Sequence, residues 1–352
     1  MAEIFYTVAS DLHRMARVAG GLVQEIDFEI PENPPSLWGG IYLGRVVETQ
    51  KPLQAAFVDI GQTQLGLLPL REGKLTSVTH GETVLVQVTR TANPLDAKGV
   101  RLTRLITLSL GPLLYTPFTP GLSLSKKIKN REFFKNLLPL LPEEGLIVRF
   151  GATESKHLLD LLSQLRKEWE TIQQQLAEKP PFCVSPPSNL LTRVLRSLSP
   201  SDTLVIDDRA VCLLTKGKGT YAKEKAFDDV CEETWDSLSS TTLAMPEGGN
   251  LSIEETKALV AIDVNSQGAL KHVLSFNRSA IKECLRQIHL RDLGGKIVID
   301  LIGAPQELAP LLQGLTIPSN VEIFGLSPLH LLELIRRRRR LSLPQRLKLQ
   351  IN

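Results

Sequence analysis

Asp263 and Asp300 each end an apolar, strand-forming run, "LVAIDVNS" and "KIVIDLI", and Asn265 follows the first aspartate by two residues. Strand alternation puts Asp263 and Asn265 on one face. A helical segment, "RSAIKECLRQIHLRD", lies between the two runs, so the strands can be neighbours in one sheet with both carboxylates in a shared space. Open α/β sheets place their sites beyond the carboxyl ends of the strands. Two such carboxylates repel unless a cation sits between them. Oxygen-only donors suit Mg²⁺, which is often held by one or two carboxylates plus a phosphate. That ion can polarise a phosphodiester and activate water, and Asn265 could orient the phosphate or the water. The competing reading is that each aspartate caps the turn after it.

The elements that must position these residues read as a mixed α/β chain. With 352 residues, 42% hydrophobic and 22% charged, the composition is that of a globular protein with two or three domains. No window approaches ~20 apolar residues, and the N-terminus lacks a basic-then-apolar signal pattern. A cytoplasmic protein with no membrane partner is the expectation. Cys183, Cys212, Cys231 and Cys284 form no C-x-x-C pair, which argues against a disulfide scaffold or a structural zinc site. The net charge is +3, yet Arg336 to Asn352 holds seven basic residues and no acidic ones, so the rest of the chain is net acidic. The block Arg336 to Arg340 suggests a polyanion partner, with Arg336 and Arg338 as candidate contacts. The bland alternative is a solvated helix end.

Residues 1–35 read as a short hairpin that stops at "PENPP". Residues 36–107 carry five short strands at the spacing of a small OB-type barrel. Such barrels present aromatic and basic residues to single-stranded nucleic acid. Tyr42 and Phe57 could stack bases, and Arg45, Lys98 and Arg101 could meet phosphates; either aromatic could equally fill the barrel. Residues 108–190 mix a basic segment, a strand ending in Arg149 and a long helix. Arg149 suits a phosphate, or is simply an exposed strand-end arginine. Beyond residue 245 helix and strand alternate. "KIVIDLI" reads as a strand covered on both faces, and "LHLLELIRRRRR" as a helix with a basic C-terminal end.

Seven stretches, "GGLVQEI", "GGIYLGRVVETQKPLQAAFVDIG", "GLLPL", "GLIVR", "TKALVAIDVNS", "LRDLGGKIVID" and "LLELIRRRRR", occur in the order found in the ribonuclease E / ribonuclease G endoribonucleases, and over most of its length the chain resembles that family. The resemblance implies an RNase H-like subdomain (1–35 and 191–245) split by an S1-type OB barrel (36–107) and a 5′-sensor region (108–190). A DNase I-like catalytic subdomain with a basic tail (246–352) follows. It implies Mg²⁺-dependent cleavage of single-stranded, A/U-rich RNA that leaves a 5′-phosphate, with preference for a 5′-monophosphate. Asp263 and Asp300 match the metal-binding aspartates and Asn265 the catalytic-site asparagine. Phe57, Lys98, Lys126 and Lys127 match RNA contacts, and Arg149 matches the 5′-phosphate sensor.

The chain also departs from the family. The Cys-Pro-x-Cys zinc link is absent, so no zinc-linked dimer is expected. Phe150 replaces the threonine after the sensor arginine, Leu67 replaces a barrel aromatic, Gly303 replaces a further aspartate, and the loop after Asn265 is short and lacks acidic residues. These departures motivate a rival, an RNA-binding relative with weak or lost catalysis, and the basic tail motivates another, a scaffold that docks it onto RNA or a ribosomal surface.

Overall fold

The computed structural model describes residues 2–31, 36–72, 78–93, 99–149, 152, 157–268, 272–303, 305–318 and 320–350. The protein is a mixed α/β chain in two compact units, one of Met1–Asn33 with Thr203–Asn352 and one of Pro34–Asp202.

The first unit opens with a meander rather than a single hairpin: β1 (Glu3–Ala9), β2 (Leu12–Ala19) and β3 (Leu22–Glu29). Gly20 and Gly21 join β2 to β3 with φ of 60° and 73°. That left-handed pair makes the two-residue turn whose twist matches paired strands.

The second unit begins with β4 (Ile41–Gln50), β5 (Ala55–Asp59), β6 (Gly66–Pro69), β7 (Thr83–Arg90) and β8 (Arg101–Thr103). Their order is β4-β5-β6-β8-β7, and a β4–β7 pairing closes the sheet into a five-stranded barrel. Val46, Val58, Leu68, Val86 and Leu102 fill it. Tyr42 belongs to the same interior, 3% exposed, and burial pushes its phenol up to about 12. The barrel therefore uses Tyr42 for packing, not for stacking bases.

Next come β9 (Leu108–Leu110), β10 (Leu113–Thr116), β11 (Gly121–Leu124), α1 (Arg131–Leu137), β12 (Gly145–Val148), α2 (His157–Gln174), β13 (Phe182–Ser185) and α3 (Leu190–Ser197). A sheet of order β11-β12-β10-β9 forms, and β13 pairs with β4. On α2, Leu158, Leu161, Leu162, Leu165 and Ile172 recur at helical spacing and are buried.

The chain re-enters the first unit through β14 (Thr203–Ile206), parallel to β1, followed by α4 (Arg209–Leu214), β15 (Thr220–Tyr221) and α5 (Asp229–Ser237). A second sheet follows: β16 (Thr242–Ala244), β17 (Asn250–Glu255), β18 (Val260–Asn265), α6 (Val273–Leu290), β19 (Gly295–Asp300), α7 (Leu308–Leu312), β20 (Val321–Leu326), β21 (Leu331–Arg336) and α8 (Leu343–Gln350). Its order is β16-β17-β18-β19-β21-β20. The parallel pair β18 and β19 needs the crossover that α6 supplies.

Two expectations are corrected here. "LLELIR" is a strand, paired with β19 on one side and β20 on the other. Leu332, Leu334 and Arg336 are buried while the residues between them are not, a period of two that ladder pairing enforces over helix propensity. Moreover, β19 is not covered on both faces. Ile297 and Ile299 pack in the core with Ala280, Ile281, Cys284 and Ile288 of α6, whereas Lys296 and Asp300 are exposed. Each large apolar side chain buried there contributes about 1.5–3 kcal/mol. On the opposite face of the sheet Asp263, Asn265, Lys296 and Asp300 are exposed.

The basic tail is also part of the fold. Arg336 is 5% exposed and pairs with Asp292 at 2.8 Å, while its Nη1 donates to the Leu293 carbonyl at 2.7 Å. Arg340 bridges Asp292 and Asp27 at 2.8 and 2.9 Å, and Arg346 reaches Asp27 at 2.8 Å. These guanidinium groups tie the C-terminal segment to β3 and to the end of α6. Arg336, expected to contact RNA, has its charge directed inward.

Candidate active site

β18 and β19 run parallel in a register that sets Asp263 directly beside Asp300. Neighbouring strands lie about 4.8 Å apart, so the two carboxylates rise from adjacent points on the sheet. Both are exposed on one sheet face. Capping aspartates in this protein look different: Asp208 accepts from Val211 N–H at the start of α4, and Asp228 from Cys231 N–H at the start of α5. Among the described residues neither Asp263 nor Asp300 has a hydrogen-bond or ion-pair partner, so neither caps a turn.

Asn265 shares the face of Asp263, two residues along β18, and stands opposite Asn250 of β17. Its Oδ1 accepts from the Gln267 N–H at 2.9 Å, an Asx-type turn. That bond fixes the carboxamide and leaves Nδ2 to donate. Ser252 is the register partner of Asp263 on β17, so the polar strip runs Ser252, Asp263, Asp300 across three strands.

Gly249 was not singled out in the sequence, yet it holds this edge together. At φ +80° it lies so near Asn265 that an added Cβ would collide with the Asn265 carbonyl oxygen and sit 3.0 Å from Ser266 Cα. Gly249→Ala is expected to cost about 1–3 kcal/mol, the range for a residue forced into a sparsely populated conformation. The shift in the midpoint of chemical denaturation checks it.

The other expected site residues fall in the second unit. On the barrel wall Phe57 pairs with Leu67, and Leu67 with Arg101. An aromatic, an aliphatic and a cationic residue thus form one row over three strands. Phe57 is half-buried and Arg101 exposed. Lys98 and Phe150 lie outside the described residues. Arg149 is exposed just past β12, and its backbone N–H donates to the Pro112 carbonyl at 2.9 Å. Lys126 and Lys127, also exposed, follow β11, which runs parallel to β12. Ser125 N–H donates to the Val148 carbonyl at 2.9 Å, so the fold brings the lysine pair and Arg149 to the same end of two adjacent strands. In the first unit, Arg338 is half-exposed and donates to the Gly294 carbonyl at 3.2 Å.

A closed barrel in one unit and a sheet with an exposed carboxylate pair on adjacent strands in the other define a multi-sheet α/β protein with a candidate hydrolytic centre. Residues 108–339 match the model of the Ribonuclease E/G family, and the chain belongs to that family. It is 31% identical over 337 residues to Ribonuclease E of Escherichia coli (strain K12), covering 82% of this chain and 32% of that protein. Against Ribonuclease E of Synechocystis sp. it is 31% identical over 311 residues, 75% of this chain and 46% of that one. Against Ribonuclease G of Escherichia coli (strain K12) it is 28% identical over 401 residues, 97% and 81% of the two chains. The chain thus spans about a third of the Escherichia coli Ribonuclease E and about four-fifths of the Ribonuclease G. Among the described residues no helix is long and apolar enough to cross a membrane.

Proposed function

We propose that this protein is a Mg²⁺-dependent endoribonuclease that cuts single-stranded RNA and leaves a 5′-phosphate on the downstream product. The observation that carries the reading is the register match of Asp263 and Asp300, side by side and exposed on one sheet face, with no hydrogen-bond or ion-pair partner among the described residues. Family membership supplies the reaction class.

The donor set fits the ion. Two exposed carboxylates offer oxygen alone, and among the described residues no cluster of three or more His, Cys, Asp or Glu side chains competes as a metal centre. Such a pair suits Mg²⁺, which keeps several waters and takes the remaining positions from substrate phosphate. When bound between Asp263 and Asp300, the ion would neutralise charge on the phosphodiester and make water a better nucleophile. Asn265, anchored through Oδ1, presents Nδ2 as a donor to a phosphate oxygen, where developing charge strengthens the bond. Water adds to phosphorus, the P–O3′ bond breaks, and the upstream fragment leaves with a 3′-hydroxyl.

The second unit would hold the strand. The Phe57, Leu67 and Arg101 row reads as the RNA face of an S1-type barrel, one ring for a base and a cation for a phosphate. Arg149 would meet a 5′-monophosphate, with Lys126 and Lys127 as RNA contacts at the same end of the neighbouring strand. Arg338 is the tail residue retained as an RNA contact. We assign the meander sheet to an RNase H-like subdomain and the six-stranded sheet to a DNase I-like one. Phe57→Ala should weaken binding of a short single-stranded RNA by about 1–3 kcal/mol, the usual value of one base–aromatic stack. Fluorescence anisotropy checks this, with a melting curve to show that the half-buried ring is not required for the fold.

The direct test is cleavage of a 5′-monophosphorylated, A/U-rich single-stranded RNA by wild type and Asp263→Asn, with Mg²⁺ and with EDTA. Cuts that need both Mg²⁺ and Asp263 are expected. Tight binding with no cuts under any condition would replace the nuclease reading with that of an RNA-binding relative.

A further inference from the structure

Asn277 sits on the buried face of α6, 1% exposed, beside Phe276, Ala280 and Ile281. A carboxamide in such a place is costly unless both of its ends are satisfied. Both are, by one residue: Nδ2 donates to the Ile302 carbonyl at 2.8 Å, and Oδ1 accepts from the Ile302 N–H at 3.2 Å. Ile302 is two residues beyond Asp300, which is the last residue of β19. Past that point the ladder no longer pairs the chain, and Gly303 turns it away at φ +77°.

Among the described residues the Asp300 carboxylate touches no group that would hold it, so its position follows from its backbone. Strand pairing fixes that backbone on the near side, through Asp263 and Leu331. Only the Asn277 clamp, helix to strand exit, acts on the far side within the described hydrogen bonds. We propose that Asn277 is a positioning residue for the metal-binding pair: its two hydrogen bonds to Ile302 set where β19 ends and hence how the Asp300 carboxylate stands relative to Asp263. The inference rests on the reading of Asp263 and Asp300 as metal ligands. A leucine would serve a purely apolar core without an amide to satisfy, whereas gripping both polar atoms of one peptide residue requires a side chain that donates and accepts.

The test uses the full chain with Asn277→Ala and Asn277→Asp. The aspartate keeps the volume and can accept from the Ile302 N–H, but as a carboxylate it cannot donate to the carbonyl. Mn²⁺ binding is measured directly by the loss of its free-ion EPR signal, with Asp300→Asn as control, and cleavage is titrated with Mg²⁺. Outer partners of metal ligands change metal affinity by about 10–100-fold. Both variants should therefore need at least about tenfold more Mn²⁺, melt cooperatively, bind RNA as wild type does, and regain most of their cleavage rate at high Mg²⁺. A merely structural role would lower the melting temperature and leave the metal titration in place. Unchanged Mn²⁺ binding in either folded variant, or loss of the fold in both, would overturn the proposal. Mn²⁺ binding by Asp300→Asn that equals that of wild type would instead sink the metal-ligand reading itself.

Discussion

Asp300→Asn is expected to cut RNA at least about 10³-fold more slowly than wild type while binding it within about twofold. The asparagine keeps the shape of the side chain and removes the charge that faces Asp263. Charge neutralisation by a metal at phosphorus is worth several kcal/mol, and each 1.36 kcal/mol is tenfold in rate. The fold should tolerate the change, because the carboxylate is exposed and has no hydrogen-bond or ion-pair partner among the described residues. The melting temperature should hold or rise as like-charge repulsion is relieved. Asp263→Asn should behave alike, and the double variant should fall little below either single one, since residues that act as a unit are not additive. Single-turnover cleavage, RNA binding and a thermal melt on the same preparations separate these effects. Wild-type rates from both single variants would remove the carboxylate pair from the mechanism.

The second large effect concerns stability. Arg340→Ala should destabilise the first unit by about 3 kcal/mol, because it leaves the buried Asp27 and the part-buried Asp292 each short of one partner, with Arg346 and Arg336 remaining. For a unit of this size that lowers the melting temperature by roughly 10 °C. Arg337→Ala, three positions away and exposed, should fall within the ~0.5 kcal/mol of ordinary surface changes. The contrast divides the basic run into inward and outward arginines. Acid should act on the same cluster. Burial alone would push the Asp292 carboxyl up, but the Arg340 and Arg336 charges outweigh it and hold the group below the usual carboxylate range. A depressed folded-state value stabilises the protein above the unfolded value near 3.9, and that contribution is lost as pH falls below it toward the folded-state value. Wild type should therefore lose stability below about pH 4, and Arg340→Ala should lose less of it. Denaturant midpoints taken from pH 7 down to pH 3 measure both slopes.

By itself the sequence determined the chemistry on offer. Two aspartates ending apolar runs, and an asparagine two residues from one of them, are composition and period, which local sequence carries. The five short strands of the barrel and the helix between the two aspartates are legible for the same reason. Tertiary structure decided what the local pattern leaves open. "LLELIR" fits a helix and a strand equally well, and ladders from β19 and β20 chose the strand. "KIVIDLI" reads as wholly buried, yet α6 covers one face only, which is what leaves Asp300 exposed. Tyr42 and Phe57 are two aromatics of one barrel, and only the direction each takes from its strand separates core from surface. The five arginines look like one basic patch until Asp27 and Asp292, distant in sequence, draw Arg336 and Arg340 inward. Asn277 left a faint trace, a polar residue on the apolar stripe of α6, but its partner Ile302 is 25 residues away. Pairings across such separations depend on which elements meet in space, and periodicity along the chain carries no record of that.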